Sequence, residues 1–412
     1  MKSTKNSILE SLTLAALALP LLHTSVQAAR VDENYHADFQ YGRYQESSAR
    51  MSVDIFEGNL SAPIGKALTG SVNIVNDVIT GASPTSNTKD ANGKLVQVIS
   101  GASGNWRSSN CGASICDERH AITPSLTYFF DNAALSISGG YSEENDYTAR
   151  YGSTNLSWDI NKKLTTLNFG ASVSFDKVHP TPLNGGFLRN ADCGALCNKT
   201  SQQYLIGISQ IIDKHSLLQT NFSFGYHNGY LSDPYKKVGF DFNTNFYINF
   251  NERRPRERFE WAWLTQYVRH FDNLNHAALH LDYRFGINDW GIHSHTAELS
   301  WHQPIVMGWQ LIPRFRYYSQ TAADFYQPVF AGTNQNYNAY SSDYRLAGFG
   351  AMSAGLKLSK DFSQLKPLNT VKLQAGIEYY EHKAQYQIEG NNAGNFTDFS
   401  YYLISASIQM AF

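Results

Sequence analysis

Apolar and polar residues alternate along the last twelve residues of the chain, which end in Phe412. The apolar positions are Phe412, Met410, Ile408, Ala406, Ile404 and Tyr402, and the polar positions between them include Gln409, Ser407 and Ser405. Successive side chains of a strand point to opposite faces, so one face of this segment suits lipid and the other suits water. A soluble sandwich strand alternates in the same way, and the segment therefore indicates a membrane strand only if the chain is exported.

The N-terminal residues have the pattern of a secretory signal peptide. Lys2 and Lys5 give a positive start, residues 12–22 are mostly apolar, and Val26-Gln27-Ala28 is a small-residue cleavage pattern. No later window holds about 18 consecutive apolar residues, so a spanning helix is not expected. A mature chain that enters a membrane must then close into a barrel, because only helices and barrels satisfy every backbone group in lipid. We expect a Sec signal peptide over residues 1–28 and one outer-membrane barrel over residues 29–412.

The composition agrees with a barrel. The 412 residues include 25 Tyr and 24 Phe, as expected where half of each strand faces water and aromatic girdles mark both membrane interfaces. The formal net charge of −2 gives no electrostatic reason to expect nucleic acid as a partner.

Period-two alternation, interrupted by clusters of turn residues, predicts sixteen strands. They are 33–45, 50–60, 68–80, 121–130, 133–143, 147–160, 165–178, 201–212, 215–231, 257–271, 275–288, 293–305, 309–326, 347–362, 369–388 and 398–412. Short and long connections alternate between them, as the periplasmic turns and extracellular loops of an outer-membrane barrel do. The alternating segment 238–250 lies inside a predicted outer loop. It is either an arm above the membrane or a sign that one assigned strand is wrong. The predicted fold is an all-β, antiparallel, up-and-down transmembrane barrel of about 16 strands, with 14 as the alternative.

Four consecutive predicted strands, from 257–271 to 309–326, carry their ionisable residues on the face that points to the lumen. The predicted lumen wall consists of Arg258, Glu260, His280, Asp282, Arg284, Glu298, His302, Arg314 and Arg316. Neighbouring strands lie about 4.8 Å apart, so these side chains form one contiguous surface. Charges on the lipid face are costly, and the wall is therefore either an interior of paired acids and bases or a surface for permeation and binding. A third interpretation is catalysis by Asp282 with His280 or His302. It lacks an orienting third group, and no catalytic residue is predicted.

Several motifs in this chain resemble a known family. They are Thr80-Gly81-Ala82-Ser83-Pro84, Glu252-Arg253-Arg254-Pro255-Arg256-Glu257-Arg258, Leu281-Asp282-Tyr283-Arg284, Asp289-Trp290-Gly291-Ile292, Pro313-Arg314-Phe315-Arg316-Tyr317-Tyr318-Ser319-Gln320, Ala322-Ala323-Asp324-Phe325-Tyr326 and Ser342-Asp343-Tyr344-Arg345-Leu346. The chain is similar over most of its mature length to a bacterial domain-of-unknown-function family, number three-five-seven-zero. The resemblance implies an outer-membrane barrel without an established activity. It also suggests a link to envelope redox chemistry, with a periplasmic lipoprotein or a thioredoxin-like protein as partner.

The four cysteines form two close pairs, Cys111 with Cys116 and Cys193 with Cys197. An even number of cysteines in an exported protein indicates disulfides, and closure within each pair is favoured by the short sequence separation. Redox-active thiols and a four-thiolate metal site remain the alternatives.

Two other groups carry ligand chemistry. His293 and His295 share one face of a strand, but no third ligand is near them in sequence, and we predict no metal site there. The basic segment from Arg253 to Arg258 either binds lipopolysaccharide phosphates or anchors the strand end.

The first functional expectation is a pore or solute-binding transport channel, because a barrel near sixteen strands leaves an aqueous lumen. The second is a non-conducting scaffold for envelope redox or lipoprotein partners, and the third is a barrel enzyme acting on lipid or peptide. No cofactor and no metal are expected. The expected partners are outer-membrane lipid, lipopolysaccharide and a small solute.

Overall fold

The computed structural model describes residues 31–47, 50–81, 84–89, 95–99, 115–179, 197–243, 246–363, 368–390 and 398–412. They form 21 strands, numbered in chain order. The strands are β1 (His36–Glu46), β2 (Met51–Ile64), β3 (Leu68–Gly81), β4 (Pro84–Lys89), β5 (Leu95–Ile99), β6 (Ile115–Phe129), β7 (Ala133–Glu143), β8 (Tyr147–Ile160), β9 (Thr165–Val178), β10 (Cys197–Asp213), β11 (Ser216–Gly229), β12 (Lys237–Asn243), β13 (Phe246–Asn251), β14 (Glu257–Phe271), β15 (Ala277–Asn288), β16 (His293–Pro304), β17 (Trp309–Gln320), β18 (Phe330–Ala331), β19 (Phe349–Ser363), β20 (Thr370–Lys383) and β21 (Phe399–Ala411).

Sixteen of these strands close into one antiparallel barrel. The order around the ring is β1-β2-β3-β6-β7-β8-β9-β10-β11-β14-β15-β16-β17-β19-β20-β21. The last strand closes the ring against the first, with Ala37 opposite Met410 and Phe39 opposite Ile408. The predicted number of sixteen is confirmed, and the alternative of fourteen is wrong. None of the described residues forms a helix long and apolar enough to cross a membrane.

The outward face of the barrel is apolar. Its exposed large side chains include Phe39, Phe56, Leu60, Ile74, Leu126, Ile137, Phe169, Ile206, Phe222, Trp263, Leu281, Leu299, Phe315, Leu356, Ile377, Tyr402 and Ile404. These residues occupy alternate positions of their strands, as the sequence pattern predicts. An apolar surface of this extent around a closed ring requires an apolar solvent, because exposing it to water is costly.

The two ends of the barrel differ. At one end, called the turn end here, the strands are joined by short connections such as 214–215 and 272–276. The other end, called the loop end, carries the long connections, including 230–256 and 321–348. This alternation of short and long connections agrees with the sequence-based prediction.

The segment 238–250 is an arm and not a seventeenth barrel strand. β12 and β13 pair with each other, and β12 also pairs with β18 from the connection 321–348. Two apolar faces meet there, and Val238, Phe240 and Phe330 are almost completely buried. The strong alternation therefore reflects a small sheet with its own core.

The sequence-based strand bounds fail where barrel strands meet the loops. The predicted span 309–326 is too long, because β17 ends at Gln320 and Ala323 and Tyr326 pack instead with Trp290 and Leu346. The predicted span 369–388 is also too long, since the strand ends at Lys383 and a 3-10 turn follows. The span predicted from residue 121 begins at Ile115.

Candidate functional site

The long connections 230–256 and 321–348 form a cap over the loop end of the barrel. The hydroxyl of Tyr235 donates a hydrogen bond to Asp146 beside β8. The ring of Tyr344 contacts His382 of β20 and Phe399 of β21, with ring centroids 6.3 and 5.8 Å away. β8 and β20 lie on nearly opposite sides of the ring, so the cap reaches across the mouth.

A buried group of six charged side chains holds the two connections of the cap together. It consists of the acids Asp233, Glu252 and Asp343 and the bases Lys236, Arg254 and Arg345, and we call it the ionic cluster. Nη2 of Arg254 donates to Asp343 at 2.8 Å, while its Nε lies 2.9 Å from Glu252. Arg345 pairs with Asp343 and with Asp233, the latter at 3.0 Å. Three basic side chains thus meet three acidic ones.

The cluster determines which of its carboxyls carries the charge. Burial alone would raise the pKa of Asp343, but Arg345, Lys236 and Arg254 outweigh it and hold that pKa well below its ordinary value. Burial raises the pKa of Glu252, although Arg254 partly offsets the effect, and the nearby Asp343 and Asp233 raise it further. Asp343 is therefore the firmly ionised centre of the cluster.

An apolar group joins the cap to the barrel wall beside it. Trp290 and Ile292, from the turn between β15 and β16, pack with Ala323, Tyr326 and Leu346. Gly291 in this turn has a φ of +83°, and a Cβ there would lie 2.3 Å from Oδ1 of Asp324. The turn therefore needs glycine both for its backbone conformation and for the close approach of Asp324.

Beneath the cap lies a cavity of about 490 Å³ between the cap and the inner barrel wall. Arg254, Arg345 and Leu346 line it from the cap, while the inward positions of β9, β10, β11 and β14 to β17 line it from the wall. The described residues that surround it include six cations, Lys199, Arg254, Arg258, Arg284, Arg316 and Arg345, and one carboxylate, Glu260.

Most of these cations are neutralised by carboxylates, and two are not. Glu260 pairs with Arg258 and with His227, each at 3.2 Å. Nζ of Lys199 lies 3.8 Å from Asp176. Arg284 and Arg316, in contrast, are exposed to the lumen. Within the described ranges neither has a hydrogen bond or an ion pair, and Arg284 interacts with Glu260 only through space. Two guanidinium groups therefore face the cavity with their donors available.

The rest of the predicted wall lies nearer the turn end and is mostly paired. Arg314 binds Glu298 through two hydrogen bonds of 2.6 Å and donates a third, also of 2.6 Å, to Glu378 of β20. Asp282 accepts from Gln266 at 3.1 Å. The rings of His280 and His302 lie 4.3 Å apart. The wall thus divides into a paired part around Arg314 and an unpaired part around Arg284 and Arg316.

The arrangement needed for catalysis by Asp282 is not assembled. Nε2 of His302 lies 3.4 Å from Oγ of Ser300. No hydrogen bond connects Asp282 to His280 or His302 in the described part of the chain. The serine and the histidine therefore lack the carboxylate that would orient them.

The structure locates residues from three other groups that the sequence analysis singled out: the cysteines, the histidine pair of β16 and the basic segment. Cys197 begins β10, is 1% exposed, and is not a free thiol. Cys111 and Cys193 lie outside the described residues, as does the side chain of Cys116, so the pairing stays a prediction. His295 accepts or donates a hydrogen bond with Tyr283 on the outward face of the barrel at 2.8 Å. Arg254 is buried in the ionic cluster, which leaves that arginine unavailable to lipopolysaccharide.

Sequence analysis missed the ionic cluster, although its signal was present. Glu252 and Arg254 belong to one of the motifs that carry the family resemblance, and Asp343 and Arg345 belong to another. The structure brings these motifs together from positions 89 residues apart. Two further motifs supply Trp290 and Ala323 of the neighbouring apolar group.

A family match covers nearly the whole chain. A family model described as "Protein of unknown function (DUF3570)" matches residues 9–403. The chain belongs to the DUF3570 family. No curated protein matches it.

Among solved structures, the chain is similar to a bacterial polysaccharide outer membrane secretin, with a TM-score of 0.49, 7% identity, and coverage of 93% of this chain and 99% of that one. It is also similar to the outer membrane protein opdK from Pseudomonas aeruginosa, with a TM-score of 0.42, 8% identity, and coverage of 92% and 99%. A third is the CymD monoaromatic hydrocarbon channel, with a TM-score of 0.41, 8% identity, and coverage of 93% and 89%. At these values we transfer neither a substrate nor a residue role from them.

Proposed function

We propose that this protein is an outer-membrane channel that binds small anionic solutes in the cavity beneath its cap. Its apolar outer face suits a lipid bilayer, and a ring of sixteen strands is wide enough for an aqueous lumen. In this assignment the turn end is periplasmic and the loop end is extracellular. Residues 1–28 then serve as the Sec signal peptide.

The observation that carries the proposal is the pair of guanidinium groups without an ion pair, Arg284 and Arg316, in a cavity whose described lining holds one carboxylate. They stand on β15 and β17, with β16 between them, so their α carbons are on the order of 10 Å apart. Guanidinium groups bind carboxylate and phosphate through paired hydrogen bonds. A lumen lined by one sign of charge also raises the local concentration of the opposite ion.

The test is conductance of the refolded protein in a planar bilayer that separates two salt concentrations. The wild type should give a reversal potential that reports preference for anions. The double variant Arg284→Ala/Arg316→Ala should lower the anion-to-cation permeability ratio on the order of 30-fold, since each of the two removed charges contributes about 1 kcal/mol, or about fivefold, at about 4 Å in water.

Arg43 and Arg269 provide the matched control. Each pairs with an aspartate outside the cavity, Asp54 and Asp213 respectively. The variant Arg43→Ala/Arg269→Ala removes the same net charge and should leave the permeability ratio within error of the wild type. An anion preference that survives the loss of Arg284 and Arg316 would contradict the proposed site.

The cap is the observation that favours a second candidate function, a scaffold that does not conduct ions. It crosses the mouth of the barrel and is held by buried ion pairs, as a plug would be. On this interpretation the partners would be periplasmic lipoproteins or thioredoxin-like proteins, and the paired wall around Arg314 would only satisfy the interior. A bilayer that stays silent even when the cap is destabilised would support the scaffold and dismiss the channel.

The disulfides belong to the same proposal. Bridging Cys111 to Cys116 and Cys193 to Cys197 would close two short loops of the chain. Labelling of native and reduced protein with a thiol reagent, followed by peptide mapping, tests this pairing. Reagent incorporated without reduction would contradict it.

A further inference from the structure

Three histidines and one aspartate gather at the turn end of the barrel, far along β14 from the cavity. His215 lies in the turn before β11, and His270 is at the end of β14. Asp272 and His276 follow in the turn that leads to β15. The backbone brings the first two together, because the amide of His270 donates to the carbonyl of His215 at 2.8 Å.

The nitrogen and oxygen atoms of the group converge. Nε2 of His215 lies 2.6 Å from Oδ2 of Asp272, and Nδ1 of His270 lies 3.2 Å from Oδ1 of the same carboxylate. These atoms of His215, His270 and Asp272 all lie within 4.8 Å of one another. Ligand atoms about 2.0–2.2 Å from a tetrahedral ion lie roughly 3.3–3.6 Å apart, so an ion would replace the hydrogen bond between His215 and Asp272 after small rotations of these side chains.

His276 stands just outside this group of three and is placed to supply a fourth ligand. Its Nδ1 lies 3.8 Å from Oδ1 of Asp272, and its ring centroid is 5.5 Å from that of His270. Both Asn275 and His276 have left-handed backbones, with φ of 55° and 57°. Such conformations cost free energy in non-glycine residues and tend to mark functional sites. Here the conformation places the imidazole of His276 against that of His270.

From this geometry we propose that His215, His270, His276 and Asp272 bind one divalent transition metal ion. Imidazole nitrogens with a single carboxylate oxygen suit Zn²⁺ and its neighbours Cu²⁺ and Ni²⁺, whereas Ca²⁺ and Mg²⁺ prefer sets of oxygen ligands. A hydrogen bond alone explains why one histidine lies against the carboxylate of Asp272. It does not explain three imidazoles directed at a single carboxylate.

The site is independent of the proposed channel, since it uses none of the residues of the cavity or the cap. It lies at the end of the barrel that we assign to the periplasm. All four side chains retain access to solvent, with the side chain of Asp272 56% exposed and that of His276 71% exposed. An ion can therefore reach the site from solution without opening the barrel.

The experiment is equilibrium dialysis of the folded full-length protein in detergent against Zn²⁺ alone, with bound metal counted by elemental analysis. We expect one Zn²⁺ per chain at micromolar concentrations and release by a chelator. The variant His215→Ala/His270→Ala should weaken binding at least tenfold, because even outer-shell partners of a metal contribute 10- to 100-fold. Co²⁺ in place of Zn²⁺ should give the visible absorption of a four-coordinate ion.

The matched control removes two other histidines. His293 and His295 share one face of β16 at the loop end, and His293→Ala/His295→Ala should bind Zn²⁺ as the wild type does. If His215→Ala/His270→Ala fails to form a heat-modifiable barrel, Asp272→Asn and His276→Asn in the turn provide the same test. Asparagine suits position 276 because it tolerates the left-handed conformation. No binding by the wild type up to about 100 µM Zn²⁺, or equal binding by folded ligand variants, would overturn the proposal.

Discussion

Arginine serves two purposes in this barrel, and the cap and the cavity wall show the difference. In the cap, Arg254 and Arg345 are mostly buried, and each binds two carboxylates. In the wall below, Arg284 and Arg316 are exposed to the lumen and form no ion pair with a described residue. The two environments lie on the boundary of one cavity.

The comparison separates arginines that hold the loops of the cap together from arginines that are available to bind a solute. A buried guanidinium that loses its carboxylates is strongly unfavourable, so the cap arginines are tied to one arrangement of the loops. An exposed guanidinium keeps its hydration and can exchange water for an anion at little cost. We infer that the first pair maintains the cap and the second pair meets the solute.

The largest expected effect follows from Arg254→Ala. The substitution leaves Glu252 and Asp343 buried with one counter-charge fewer, and breaking such a buried pair costs about 3–5 kcal/mol. The cap should detach from the mouth. Hydrogen exchange over residues 230–256 should rise, and channel conductance should rise with it.

Arg43→Ala is the control for that experiment. Arg43 also pairs with a carboxylate, Asp54, but its side chain is 44% exposed, and exposed pairs contribute about 0–1 kcal/mol. Unchanged exchange in the cap of Arg254→Ala would mean that the ionic cluster does not hold the loops.

A smaller effect is expected for Gly239→Ala in β12. A Cβ at this position would lie 2.7 Å from the backbone oxygen of Asn87 in β4. The resulting overpacking costs about 1–3 kcal/mol. Exchange should increase around β12 and β4, while the barrel strands stay protected.

Gly42→Ala provides the comparison for Gly239→Ala. Its Cβ would meet Cβ of Ile55 at 3.7 Å, an ordinary contact. Similar hydrogen exchange around β12 and β4 in the two variants would show that β4 does not restrain the cap.

Arg314→Ala sharpens the contrast within the wall. It removes a charge that is already neutralised and leaves Glu298 and Glu378 without their shared partner. The permeability ratio should shift toward cations by about fivefold, on the order of 1 kcal/mol for one charge. Arg314→Lys should restore much of the ratio, although a lysine cannot reproduce the paired hydrogen bonds to Glu298. A ratio unchanged by Arg314→Ala would place Arg314 outside the permeation path.

The smallest effect on conductance is expected when the pH is lowered. The pKa of Asp343 is lowered, so its contribution to the cap is complete above its ordinary pKa and is lost only as the pH falls through the lowered value. The pKa of Glu252 is raised, so protonation of this buried carboxyl at falling pH favours the folded cap. Burial lowers the pKa of Lys236, so protonation of this lysine at falling pH acts against the folded cap and opposes the effect of Glu252. Conductance should therefore change little between pH 8 and pH 5. A clear increase with a midpoint in that range would show that Glu252 does not offset Lys236.

The family resemblance and the barrel could be predicted from the sequence because both depend on local patterns. Alternation of period two identifies a strand from its own residues, and connection lengths give the end at which each turn lies. The inward position of Arg258, Asp282, Glu298 and Arg316 follows from the same rule, since a one-residue change of register would place these charges in lipid. The bounds of β17 and β20 were less certain because aromatic residues continue past the point where each strand leaves the barrel.

Only the tertiary structure decided how the charges are used. Arg314 and Arg316 have the same sequence pattern and share one face of β17, yet Glu378 comes close to Arg314 only because the ring brings β20 within reach. Arg254 and Asp343 are 89 residues apart, and His215 and Asp272 are 57 apart. Local patterns determine which face of a strand a residue occupies. The loop paths and the closure of the ring determine which charge it meets.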